Sequence, residues 1–328
     1  MKSITLTGSD LSHEQLLAVA YGASVVLDPA QLPHVAATAA FLAEQVTMQQ
    51  PLYGISTGFG SNADKLLGAH HIRDSNRGGG SLLDELQRNL IITHAVCVGE
   101  PFHAEVVRAM MAIRINTLMR GHSGIRVATL QALADMLNAG IVPVVPKLGS
   151  VGASGDLAPL SHLAIVLLGG GEAFYRGKRL AGAQALAQAG LQPITLSHKE
   201  GLALNNGTAQ MLATGVLAVA RLEELCDTAD LAAAMSLDAF SGRSNAFDAR
   251  VHALRPHPGQ MHVAAHLKQF LAGSSLVDIA YHLVPKFRSW LPGCWPDAGL
   301  DALKFDIAWD WVPLTQRHGR EKFYQRFK

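Results

Sequence analysis

Residues 198–241 spread alanine and leucine around the whole circumference of a helix, as in GVLAVARLEELCDTADLAAAMSLDAF, instead of gathering them on one stripe. A helix that is apolar on nearly every side is a poor surface element; it belongs inside a bundle or at a subunit interface. This points to a helix-dominated architecture with long rods as its spine. Shorter helices are predicted where apolar residues recur at three-to-four spacing. These are Leu82, Leu83, Leu86, Leu90 and His94; Val106, Val107, Met110, Ile113 and Thr117; and Leu130, Leu133 and Leu137. Strand signals are few: Ser24–Leu27, Val142–Val145, and a hairpin over Ala173–Leu180 turning at Arg-Gly-Lys. The expected class is mainly α.

The 328 residues suffice for one large domain or two ordinary ones, and 49% apolar content argues against disorder. The charges nearly cancel, 27 Lys and Arg against 26 Asp and Glu, which gives no reason to expect nucleic acid or an anionic membrane as partner. No apolar run reaches the roughly 18 residues of a spanning helix. The 15 histidines are scattered, with no His-Glu-x-x-His or Cys-x-x-Cys spacing, so no metal is expected. Cys97, Cys226 and Cys294 are odd in number and far apart, which fits a reducing cytoplasm; the amino-terminal MKSITLTGSDLS lacks the pattern of a signal peptide. Residues 68–81, GAHHIRDSNRGGGS, read as a mobile loop or a substrate lid. All four tryptophans fall after residue 289.

The stretch GSVGASGDLAPLSH (149–162) lies between two segments that both want burial, yet it is built of glycine and small residues. It matches neither the Walker nor the dinucleotide glycine pattern, and Ser154-Gly155 lacks the intervening residue of a nucleophile elbow. One reading is a turn in which Asp156 caps the next helix. Another uses the order Ala153-Ser154-Gly155. In a sharply bent chain the unhindered Gly155 nitrogen attacks the Ala153 carbonyl carbon and closes a five-membered ring. Loss of one water from that ring and one from the Ser154 side chain leaves a conjugated methylidene-imidazolone, an electrophile made from the chain alone. Glycine is needed at the bend and serine as the dehydrated residue.

That segment resembles the signature of the aromatic amino-acid ammonia-lyase and aminomutase family. Five further stretches resemble family motifs in family order: LYGISTGFG (52–60), LQRNLIITHAVCVGEP (86–101), RINTLMRGHSGIR (114–126), KEGLALNNGTAQ (199–210) and RPHPGQ (255–260). The resemblance covers roughly residues 1–275. It implies a mainly α fold of the fumarase/aspartase-like kind: an N-terminal mixed domain (1–195) carrying the electrophile loop, then the start of a long-helix bundle (196–275). The tail (276–328) matches no family motif.

The resemblance also implies roles. Tyr53 is the base for the substrate β-proton; a tyrosine in such a loop otherwise packs on the core, and an ordinary tyrosine titrates near 10, so the pocket would have to favour the phenolate. Asn206 orients the substrate amine or the electrophile, with Gly207 allowing close backbone approach; it otherwise reads as a buried, hydrogen-bonded amide near a helix start. Gly60, Thr93 and His94 bind substrate, and Thr93-His94 is nearest the histidine-type pattern, although His94 also reads as a satisfied buried histidine. Asp156 either caps a helix or assists cyclisation. The cofactor is the methylidene-imidazolone formed autocatalytically from Ala153-Ser154-Gly155, with no external cofactor. The implied reaction is conversion of L-histidine to urocanate and ammonia. Tyrosine or phenylalanine lyase or aminomutase activity is an alternative, as is an inactive member acting as a partner subunit. The implied assembly is a cytoplasmic homotetramer. The family's carboxylate-binding arginine motif and later acidic region are not found, so little turnover is expected of the 328-residue chain alone.

Overall fold

The computed structural model describes residues 3–48, 52–55, 57 and 82–278, with backbone only at 82 and 83. Among these the fold is mainly α, and no helix is long and apolar enough to cross a membrane. Two compact units are present, the first ending at Val219 and the second beginning at Ala220.

The first unit opens with β1 (Ser3–Leu6), α1 (His13–Ala20), β2 (Ser24–Leu27) and α2 (Leu32–Thr47). β1 and β2 pair in parallel, Ser3 opposite Ser24 through Leu6 opposite Leu27. Ser12 starts α1 with a capping box, its hydroxyl accepting from Gln15 N while Gln15 Oε1 accepts from Ser12 N. Asn138 closes the free edge of β2, accepting from Val25 N and donating to Val25 O, both at 2.8 Å. Ser24–Leu27 is therefore a strand as predicted, while β1 was not anticipated.

α3 (Leu82–His94), α4 (Ala104–Met119) and α5 (Val127–Asn138) follow. Leu130, Leu133 and Leu137 line the buried face of α5 as their spacing predicts. α4 is buried without a break from Val106 to Ile115, so it runs through the core. Thr117 is the exception to the predicted stripe: it is exposed and its hydroxyl turns back to Ile113 O at 2.8 Å. Two arginines are buried on α4. Arg108 donates to the carbonyls of Val19, Ala23 and Leu137, so a single guanidinium joins the ends of α1 and α5.

Of the segment predicted as a strand over Val142–Val145, only Val142–Pro143 is one, and a second strand begins just after it. β4 (Val142–Pro143) pairs with β6 (Glu172–Tyr175), and β5 (Pro146–Leu148) pairs with β3 (Val98–Pro101). Pro143 and Pro146 have no N–H to continue a ladder, so the chain passes from one sheet to the other, with Val144 N bonding Glu172 O and Val145 O accepting from Phe102 N. The predicted hairpin is present as β6 and β7 (Lys178–Ala181). Its turn is shorter than Arg-Gly-Lys, because Lys178 already pairs with Tyr175; Arg176 (φ 48°) and Gly177 (φ 76°) make a two-residue turn.

α6 (Leu157–Leu167), α7 (Gly182–Gln188), α8 (Glu200–Asn205) and α9 (Ala209–Ala239) complete the helical frame around the site. The helices predicted over 198–241 are a short one, Glu200–Asn205, and after Asn206–Thr208 a long one of 31 residues. Ala209, Ala213, Val216 and Leu217 join the core of the first unit, while Met211, Leu222, Leu225 and Met235 are 61, 58, 63 and 65% exposed. In the second unit α10 (Ala249–Ala253) and α11 (Pro258–Phe270) accompany the later part of α9, and Ala234, Leu267, Leu271 and Val277 form a small core. Cys97 and Cys226 are free thiols; Cys294, the tryptophan-rich tail and the 68–81 loop lie outside the described residues.

Candidate active site

The loop Gly149–Asp156 is clamped at its base. Ser150 Oγ donates to Asp156 Oδ1 at 3.0 Å, so the span from Ser150 to Asp156 that carries Ala153-Ser154-Gly155 is held closed by its own ends. Asp156 is 3% exposed and occupies the N-cap position of α6, but it makes no side-chain cap bond to that helix. Its other oxygen accepts from Met211 N at 2.9 Å, in the first turn of α9, and its own N–H donates to Gly207 O at 2.7 Å. The capping reading therefore needs correction: Asp156 caps α9, a helix more than fifty residues further on, where a carboxylate meets unpaired N–H groups and the positive end of the helix dipole.

Gly155 fixes the geometry at the far side of the loop. Its φ is +153°, and a β-carbon placed on it would lie 2.5 Å from Asn206 Oδ1 and 2.7 Å from Gly207 N. Only glycine fits there. Ala153 and Ser154 are exposed while Gly155 is buried. Gly149 is pinned likewise, since a β-carbon would lie 2.6 Å from Cys97 Sγ. The structure thus brings together Ala153-Ser154-Gly155, Asp156 and Asn206.

Asn206 is half-buried at the C-cap of α8, at a helix end as well as just before α9. Its backbone is set by Arg114, whose Nη2 donates to the carbonyls of Asn206 (2.9 Å) and Ala203. A β-carbon on Gly207 would meet Arg114 Nη1 at 2.2 Å, so Gly207 admits the guanidinium to the turn. Burial lowers the Arg114 pKa to about 10, and its Nε has no partner among the described residues. The α8 helix is anchored at its other end by buried Glu200, which accepts from Arg126 Nη2 at 2.6 Å, Arg126 N at 3.0 Å and Ser197 N at 2.7 Å.

Tyr53 lies in a turn, 55% exposed. The Thr57 hydroxyl braces that turn, accepting from Gly54 N at 3.3 Å. Gln87, fully buried on α3, donates from Nε2 to Gly54 O at 3.2 Å and accepts from Gly201 N at 3.0 Å. One amide therefore ties the tyrosine turn to the start of the helix that ends at Asn206. Thr93 and His94 close α3. Thr93 is exposed and its hydroxyl bonds back to Asn89 O at 2.8 Å; His94 Nδ1 lies 2.9 Å from Leu90 O, so Nδ1 carries the hydrogen and Nε2 is left as an acceptor. Three residues on, Cys97 N donates to His162 Nε2 at 3.0 Å, and burial lowers the His162 pKa, keeping the imidazole neutral as that bond requires. Gly60 lies outside the described residues.

α3, α6 and α8 pack against one another, which explains how motifs so distant in sequence converge. Sequence reasoning missed the residues that hold the candidates in place: Ser150, Gln87, Arg114, His162 and the Arg126–Glu200 pair. Each lies within a quoted motif, but only Arg114, between Ile113 and Ile115, and Arg126, between Ile125 and Val127, carried a local signal: a charged side chain flanked by apolar ones.

The family model for aromatic amino acid lyases matches residues 11–289. Among curated proteins, histidine ammonia-lyase of Myxococcus xanthus is 47% identical over 276 residues, covering 84% of this chain and 52% of that protein. Among solved structures, histidine ammonia-lyase from Trypanosoma cruzi superposes with a TM-score of 0.72 at 38% identity, covering 81% of this chain and 50% of that one. Pantoea agglomerans phenylalanine aminomutase gives a TM-score of 0.76 at 33% identity, covering 90% and 55%. The chain spans about half the length of the curated relatives it matches.

Proposed function

Because the chain belongs to the aromatic amino acid lyase family, we propose that it carries the electrophile-forming part of an enzyme that converts L-histidine to urocanate and ammonia. The observation that supports this most is the seating of Gly155 against Asn206 and Gly207 in a loop closed by Ser150 and Asp156. The residues present fit the methylidene-imidazolone. A glycine with no room for a side chain follows the one dehydratable serine, in a bend whose ends are fixed by hydrogen bonds.

In this reading Gly155 N attacks the Ala153 carbonyl carbon, and two waters leave, one of them taking the Ser154 hydroxyl. Asp156, tied to Ser150 and to Met211 N, keeps the loop ends together while this happens. Once present, the methylidene-imidazolone supplies an electrophilic carbon that takes the substrate amine and makes it a better leaving group. Asn206, whose Oδ1 lies at Gly155, orients the amine or the ring. Tyr53 accepts the β-proton, and Gln87 sets the position of its turn. Thr93 and His94 contact the substrate side chain; the His94 Nε2 acceptor suits an imidazole N–H. Gly60 stands as a further substrate contact on the resemblance alone.

The choice of histidine over tyrosine or phenylalanine is supported by curated relatives at 41–47% identity, all named as histidine ammonia-lyases, against 32–33% for the aminomutase structures. Exposed Leu222, Leu225 and Met235 on α9 support a homotetramer built on that helix. The test is turnover: urocanate and ammonia from L-histidine, with tyrosine and phenylalanine as competitors. Faster elimination from either competitor overturns the substrate assignment.

A further inference from the structure

The second unit holds a cluster that the lyase reading does not use. His262 and His266 lie one turn apart on α11, their ring centroids 5.7 Å apart. Asp227 and Asp230 lie one turn apart on α9 and face them. One donor atom each from Asp227, His262 and His266 falls within 4.8 Å of the others. His266 Nδ1 is 3.0 Å from Asp230 Oδ2 and 4.0 Å from Asp227 Oδ1.

We propose that Asp227, His262 and His266 bind a divalent transition metal of the zinc class, with Asp230 as a further carboxylate at the same point. Two imidazoles and one carboxylate are the donors a borderline cation prefers, whereas magnesium and calcium take oxygen ligands. Histidines four residues apart on one helix present both rings to the same point. Both carboxylates approach the same ring atom, His266 Nδ1, so Asp230, whose side chain is 13% exposed against 69% for Asp227, adds a further oxygen donor beside the three. Such a metal would cross-link α9 to α11 within this unit. The proposal is independent of the Ala-Ser-Gly loop.

The test is calorimetric titration of the 328-residue chain with zinc chloride, paired with cobalt(II) absorption to read coordination. One equivalent should bind. His262→Ala and His266→Ala should each weaken binding at least about tenfold, since even outer-shell losses reach that size. Asp227→Asn, at an exposed position that leaves folding undisturbed, should weaken it as well. His252→Ala, on α10, should leave affinity unchanged. No saturable binding by the parent chain overturns the proposal, as does equal affinity in the His262→Ala/His266→Ala variant.

Discussion

A β-carbon on Gly155 would lie 2.5 Å from the Oδ1 of Asn206, so the glycine of the Ala-Ser-Gly triad and the asparagine after α8 are in direct contact across fifty residues of chain. Gly155→Ala should therefore push the loop off Asn206 and Gly207 and block ring closure. Mass spectrometry of the peptide spanning Ser154 should show its unmodified mass in this variant and a deficit of two waters in the parent.

Gln87→Ala leaves Gly54 O and Gly201 N without their shared partner. Each unsatisfied buried group costs about 1–3 kcal/mol, so a stability loss of roughly 3 kcal/mol is expected in urea unfolding. In the complete enzyme kcat should fall more than KM rises, because the tyrosine turn is displaced.

Arg126→Ala removes the charge facing Glu200, whose side chain is 1% exposed. An uncompensated buried carboxylate costs about 3 kcal/mol. Arg126→Met combined with Glu200→Gln should recover most of that loss, since the amide oxygen still accepts backbone N–H groups. Equal destabilisation in the single and double variants would contradict the ion-pair account.

His162 gives a pH dependence. Burial depresses its pKa in the folded state, so on acidification the unfolded chain takes up this proton first, beginning near the ordinary value of about 6.5. Its contribution to stability is complete above that pH and is lost as pH falls towards the depressed folded value. His162→Gln, which keeps an acceptor for Cys97 N, should flatten the fall in Tm between neutral and mildly acidic pH.

The sequence made the helices and the Ala153-Ser154-Gly155 loop legible because both depend on local pattern: apolar spacing for α5, residue order for the loop. It did not reveal which groups hold the site. Gln87 meets Gly201 across 114 residues and Arg114 meets Asn206 across 92, and no local pattern announces a partner at that distance. The strand predicted at Val142–Val145 is present only over Val142–Pro143, because Pro143 and Pro146, both visible in the sequence, lack the N–H that would continue the ladder. Asp156 looked like the cap of α6 and caps α9 instead, because the loop turns the carboxylate away from its own helix. His262 and His266 have the i, i+4 spacing of His-Glu-x-x-His but Val263 stands in place of its glutamate, and the carboxylates that face them come from another helix.

The most direct measurement is the intact mass of the Ser154 peptide from the folded, complete protein beside that of Ser154→Ala. The account predicts two waters missing from the parent peptide, none missing from the variant, and loss of histidine deamination with it. A parent peptide of full unmodified mass in protein that turns over histidine would contradict it.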